Sequence, residues 1–196
     1  VVLGTLKPGE KLREVRLAAE LGVSRPTLRE ALNLLVQDGL LVQEPYRGFS
    51  VTCLDTVALR DIARTRVPLD LIAIREILDD TGGRRVQMVR DVWDRFRHLT
   101  FDPDPLIQHE AHVSFHHGLW VASENTMLLR LWPVTEAMTT IVLAQDQATH
   151  ADPQRAHDLH QSLIGAILDG DLARIEDQLS RHTLDSAEKL LSLNER

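Results

Sequence analysis

A single cysteine, Cys53, stands in 196 residues. One thiol excludes an intramolecular disulfide and fits a reducing compartment, so a cytoplasmic location is expected and Cys53 reads as an inert, half-buried thiol. No apolar run approaches the ~20 residues that span a bilayer, which excludes a transmembrane helix and a membrane partner of that kind. No basic segment followed by an apolar stretch opens the chain, so secretion is not expected. The chain also lacks an initial methionine: it starts at Val1, and further residues are expected before Gly4. Histidine is absent until His98, so all nine lie in the second half. An excess of positive charge is missing too, the formal net charge being −7.

That acidity argues against a nucleic-acid partner only if it is evenly spread. It is not. Residues 1–52 hold seven basic and six acidic residues, a net of +1, and the remainder holds 15 against 23, a net of −8. DNA affinity depends on local phosphate contacts, so an acidic second half tolerates a DNA-binding first half. The hydrophobic share of 43% and charged share of 26% are those of an ordinary globular chain with room for one large or two small domains.

The first half is punctuated clearly. Lys7-Pro8-Gly9-Glu10 is a turn signal. Residues 14–21 read as a short helix stopped by Gly22. Ser24 is a good N-cap for a second helix, Pro26 sits harmlessly in its first turn, and the helix runs to about Gln37. Leu28, Ala31, Leu32 and Leu35 are spaced as its buried face. After Asp38-Gly39, residues 40–44 and 49–52 read as two strands around Pro45-Tyr46-Arg47-Gly48. Residues 55–67 read as a linker between domains at 1–54 and 68–196. Beyond it no strand pattern occurs. Helices are expected at about 68–80, 83–99, 104–123, 125–149, 153–169 and 171–193, joined by short breaks that favour antiparallel neighbours. The fold class expected is therefore mainly α. It combines a winged helix-turn-helix with a two-stranded wing and an all-α antiparallel bundle.

Helix, Gly-containing turn, helix and hairpin place the second helix in the major groove with its N-terminal residues toward the bases. Arg25 and Arg29 fall outside the apolar stripe, and an arginine can pair bidentately with guanine for ~1–3 kcal/mol of discrimination. Ser24 and Thr27 suit phosphate oxygens, and Gly48 at the wing tip allows close backbone approach. Residues 8–52, from Pro8-Gly9-Glu10-Lys11-Leu12 through Leu21-Gly22-Val23-Ser24-Arg25-Pro26-Thr27-Leu28-Arg29-Glu30 to Arg47-Gly48-Phe49-Ser50-Val51, resemble the DNA-binding domain of GntR-family bacterial transcription regulators. The resemblance implies DNA contacts at Arg25, Thr27, Arg29 and Gly48. The family usually carries an arginine at the place of Val15, and Arg13 or Arg16 is the substitute for that phosphate contact. Of the family's additional first helix, only Val1–Leu6 would be its end.

In the second half, His112 and His116 are four apart and share a face with Phe115 and Leu119. His160 shares one with Leu163, Ile164 and Ile167, and His182 with Leu172, Ile175 and Leu179. Four imidazoles from three helices thus point into the bundle, where unpaired polar rings are costly. One shared metal ion would satisfy them together. The same stretches resemble the FCD effector domain of the FadR-like branch of the GntR family. Phe115-His116 with Ala122-Ser123-Glu124-Asn125 resembles one motif, and His160 through Asp171 a second; His182 sits where a third has histidine. The resemblance implies a divalent-metal site at His112, His116, His160 and His182, and places Asn125 with the effector-binding residues. Family members usually have aspartate where His112 stands. Four imidazoles suit Zn²⁺, Ni²⁺ or Cu²⁺, with Zn²⁺ the expected ion and Ni²⁺ its rival. His109, one turn earlier, is the alternative ligand, and His98, His117, His150 and His157 read as surface residues. Arg75 shares a stripe with Leu71, Ile74 and Leu78 and so needs an inward anionic partner. That partner is an internal carboxylate or, as the resemblance implies, an effector's.

The expectation is a ligand-responsive transcription regulator, a homodimer on near-palindromic operator DNA, in which a small organic acid relieves repression. Two alternatives differ from it: a regulator in which the ion itself is the signal, and a metal-dependent hydrolase. The hydrolase lacks a base, for there is no His-Glu-x-x-His run and Glu110 stands at the wrong spacing.

Overall fold

The structure is a computed structural model describing residues 6–150 and 152–185, with side chains described outside 143–150 and 184–185. The first five residues, and hence most of the expected end of a leading helix, lie outside the described residues. Helices α1 (Glu14–Leu21) and α2 (Arg25–Gln37) precede strands β1 (Leu41–Glu44) and β2 (Gly48–Val51). Then come α3 (Thr56–Leu78), α4 (Arg84–Leu99), α5 (Pro105–Ser123), α6 (Thr126–His150), α7 (Pro153–Asp169) and α8 (Leu172–Ser180). A π-helical turn, Arg181–Asp185, continues α8. The remainder of the expected 171–193 helix lies outside the described residues.

Gly22 ends α1 with φ +66°, a conformation that costs glycine nothing. Ser24 caps α2 by accepting from the Thr27 amide at 3.2 Å. The strands pair antiparallel in the register Leu41↔Val51 to Glu44↔Gly48, and the segment before α1 lies along β2 through Leu12 N–H to Phe49 O at 2.8 Å. Ala18, Leu28, Leu32, Leu41, Phe49 and Val51 form this head's core. Ala31 and Leu35 are exposed instead of buried. So small a head offers α2 only a narrow contact strip, which the i, i+4 pair Leu28 and Leu32 fills.

Residues 55–67 are not an irregular connection. Asp55 caps α3 by accepting from Ala58 N–H at 2.8 Å, and the helix continues through Pro68 to Leu78. The bundle core draws on α3, α4, α5, α6, α7 and α8, with Ile74, Ile77, Phe96, Phe115, Trp120, Leu163 and Leu179 fully or almost fully buried. A third apolar cluster joins head and bundle: Leu40 and Leu54 from the head pack with Leu59 and Ile62 of α3 and with Met138 and Ile141 of α6. A β-carbon on Gly39 would lie 2.6 Å from Met138 Cε, so the turn after α2 touches α6 directly.

Candidate metal centre and DNA-reading surface

The four histidines singled out by spacing come together. His112 and His116 stand one turn apart on α5, His160 comes from α7, and His182 from the π-helical turn after α8. One nitrogen from each ring can be chosen so that all four lie within 4.8 Å of one another. His116 Nε2 lies 2.9 Å from His182 Nε2 and 3.4 Å from His160 Nε2. Zn–N bonds of about 2.0–2.1 Å set tetrahedral N···N edges of about 3.3 Å, so these separations suit a transition-metal ion. His160 Nδ1–H donates to the Ala156 carbonyl at 2.5 Å. That bond fixes the tautomer and leaves the Nε2 lone pair toward the cluster, as a metal-ligating histidine requires. The rings of Phe96 and Phe115 pack on His160 at centroid distances of 4.6 and 4.7 Å.

Burial holds the rings of His112, His116 and His182 well below the usual imidazole pKa, with neighbouring cations adding to it. Burial also lowers His160, to about 4, against the opposing bond to Ala156. The rings are therefore neutral at pH 7, the protonation state that binds metal. The Nδ1 atoms of His116 and His182 are buried without a hydrogen-bond partner. The Nε2 atoms of His116, His160 and His182 face one another, and a cation would take up those converging lone pairs together. His109 is buried with an unpartnered Nδ1 but lies outside the group of four.

Arg75 is not aimed inward. Its side chain is 56% exposed and pairs with Glu176 at 3.2 Å. The buried face of α3 runs through Arg66, Asp70, Ala73, Ile74 and Ile77, which leaves position 75 on the outer ridge. Among the described residues the buried arginine is Arg66. Its Nε bonds both Asp70 oxygens at 2.9 Å, its Nη1 donates to Thr139 Oγ1 at 2.7 Å, and Trp120 Nε1–H donates to Asp70 at 2.6 Å. The guanidinium lies 5.4 and 5.3 Å from the rings of Trp120 and Trp132, and Nη2 is buried with no partner. A cavity of about 250 Å³ between α3 and α6 is lined by Arg66 with Asp61, Ile62, Thr65, Val134, Thr135, Met138 and Thr139. Asn125 spends its Oδ1 on the Met127 and Leu128 amides at the start of α6 and its Nδ2 on Glu76 at 3.5 Å. His157 and His117 are not plain surface residues: His157 lies between Trp93 and Phe101, and His117 stacks on Trp132.

On the head, Ser24, Arg25, Thr27 and Arg29 are all exposed along the start of α2. Arg25 has no ionic partner among the described residues. Ser24 Oγ and Thr27 Oγ1 are 2.8 Å apart, so the capping hydroxyl is partly committed. Arg16 pairs with Glu20 across one turn of α1 at 2.6 Å, both well exposed. Gly48 is not at the wing tip. It opens β2 opposite Glu44, and the tip is Pro45-Tyr46-Arg47, with Tyr46 fully exposed at φ +65°.

Residues 1–51 match the family model described as bacterial regulatory proteins, gntR family, and residues 61–185 match the FCD domain. The chain belongs to the GntR family and carries an FCD domain. It is a DNA-binding transcription regulator, and its relatives are regulators rather than enzymes. It is 43% identical over 86 residues to the HTH-type transcriptional regulator YdhC of Bacillus subtilis, a stretch covering 44% of this chain and 38% of that one. It is 28% identical over 184 residues to the Probable D-xylose utilization operon transcriptional repressor of Paenarthrobacter nicotinovorans, covering 93% and 80%. Among solved structures, a GntR regulator from Rhodococcus sp. RHA1 superposes with a TM-score of 0.80 at 20% identity over 97% of this chain and 91% of that one. Escherichia coli McbR/YncC does so at 0.75 and 20%, over 98% and 92%. These likenesses establish the mainly helical winged-helix-plus-bundle fold. FCD domains often bind metal, and this FCD domain has a histidine cluster that could hold one. Arg66 and Asp70 escaped sequence reading, although their i, i+4 spacing within the apolar run of α3 was a usable signal.

Proposed function

We propose that the chain is a metal-containing, organic-acid-responsive repressor, with residues 1–54 as its DNA-binding domain and the helical remainder, from α3 onward, as its effector and dimerisation domain. The observation that carries this reading is the convergence of His112, His116, His160 and His182, within the electrostatic reach of a buried arginine, Arg66, whose Nη2 has no partner. The four imidazoles would hold Zn²⁺ or Ni²⁺, which when bound supplies a fixed positive charge inside the bundle. Arg66 takes the effector role expected of Arg75: its Nη2 offers a donor for a carboxylate, and the cavity beside it admits a compact acid. Ile62 and Met138 line that cavity and also belong to the cluster joining head and bundle. An acid that prefers one position of Met138 therefore shifts the orientation of the head, and DNA affinity follows that differential binding energy.

The head reads the major groove through Arg25 and Arg29, with Ser24, Thr27 and Arg16 on phosphates and the Tyr46 tip and Gly48 backbone along the duplex. Two heads ~34–36 Å apart need a homodimer. The row Met127, Leu131 and Val134 on α6, 59%, 43% and 62% exposed, supplies an apolar surface for one. No described helix is long and apolar enough to cross a membrane, and we place the regulator in the cytoplasm with its operator. The test is metal analysis of protein purified without chelator. About one equivalent of a transition metal per chain, lost in His116→Ala, is expected. Less than a tenth of an equivalent, with no uptake on titration, would overturn the metal centre.

A further inference from the structure

The second arginine of the reading helix, Arg29, is already engaged within the head. Arg29 Nη1 lies 3.2 and 2.9 Å from the two oxygens of Glu14, and its guanidinium carbon lies 5.4 Å from the Phe49 ring centroid. Glu14 comes from α1, Arg29 from α2 and Phe49 from the wing strand, so one ion pair ties together all three parts of the head. The Glu14 side chain is only 14% exposed and that of Arg29 45%. Glu14 Oε1 also sits 3.5 Å from where a β-carbon on Gly48 would stand, which closes the gap between α1 and the wing.

A carboxylate on a surface meant for phosphates is costly, because it repels the backbone and cancels a cation that would otherwise displace counterions. Its position explains the cost. The carboxylate holds only Nη1. Arg29 Nε and Nη2 make no hydrogen bond among the described residues, and together they form the two-donor edge that matches guanine O6 and N7. Fixing the far side of the guanidinium removes side-chain freedom before DNA arrives, so less is lost on pairing with a base. Neutralising the charge at the same time weakens attraction to phosphates of any sequence.

We propose that Glu14 is the positioning residue that makes Arg29 a specificity determinant, raising discrimination between operator and random DNA at the expense of general affinity. This rests on α2 being the base-reading helix. The experiment selects duplexes from a randomised library with the wild-type chain, and then measures the selected duplex and a random duplex of equal length against wild type, Glu14→Gln, Arg29→Ala and the double variant. Glu14→Gln is expected to bind the random duplex more tightly with a salt dependence steeper by about one charge. Its operator-to-random ratio should fall about tenfold, and its selected motif should lose information at one base pair. In the Arg29→Ala background the same change should leave the ratio unaltered.

An unchanged ratio and motif in Glu14→Gln would overturn the proposal. So would parallel loss on both duplexes with early thermal unfolding, the mark of a merely structural carboxylate, or an equal effect without Arg29. If the wild type enriches no sequence, base reading by α2 fails and the proposal with it. An enriched wild-type motif that Glu14→Gln leaves intact removes the proposal alone.

Discussion

At the scale of single residues, Arg66 and Asp70 form a buried ion pair. Both are almost fully buried and bond each other through two contacts of 2.9 Å. Breaking such a pair from one side typically costs about 3–5 kcal/mol, because the remaining charge is stranded. Asp70→Asn is expected to destabilise by about 3 kcal/mol in urea unfolding, and a change below 1 kcal/mol would mean that water reaches the pair. The buried histidines set a second prediction. Burial lowers the pKa of His112, His116, His160 and His182, so the unfolded chain binds more protons than the folded one once pH falls below about 6.5. Metal-free protein should therefore be most stable above that value. Its Tm should drop steadily as pH falls from 6.5 toward His160's value of about 4. A flat Tm from pH 7.5 to 5 in the presence of chelator would contradict this. The four histidines were legible in the sequence because each shares a helical stripe with aliphatic residues. Arg75 misled because Leu71, Ile74 and Leu78 flank it, yet the burial axis of α3 runs along Asp70, Ala73, Ile74 and Ile77, and a residue one step past Ile74 is turned about 100° away.

At the scale of elements, polar caps fixed most helix starts. Asp55, Asp104, Asp152 and Asp171 each accept from an amide in the first turn of α3, α5, α7 and α8, and the last three were readable from Asp-Pro or Gly-Asp punctuation. The start of α3 was not, because Pro68 imitates a first-turn proline and hides the helix that precedes it. Asp55→Ala is expected to cost about 1 kcal/mol and to loosen the first turn of α3, where the junction begins. Hydrogen exchange at residues 56–60 measures that loosening, and unchanged protection would show that the apolar junction alone holds the turn. The other illegible device is the π-helical turn after α8. No local sequence signal announces it, since it follows from tertiary packing, and it carries His182 to the other three rings.

At the scale of the whole molecule, the effector cavity, the junction and the reading head share walls. The charge of Arg66 reaches three rings of the histidine cluster, its cavity shares Ile62 and Met138 with the junction, and Met138 meets the Gly39 turn behind the reading helix. Met138→Ala is expected to keep both metal and DNA binding while reducing any acid-induced change in affinity several-fold. An undiminished response would remove Met138 from the coupling. Leu131→Asp on the exposed row of α6 is expected to shift the chain toward monomer in sedimentation, with weaker operator binding to match. The most direct test of the central claim is a titration of metal-loaded protein on its selected duplex with a panel of small organic acids at fixed metal concentration. The account predicts that at least one acid changes operator affinity tenfold or more, and that Arg66→Gln abolishes the change. Affinity that follows the metal concentration alone, and is identical for every acid, would contradict it.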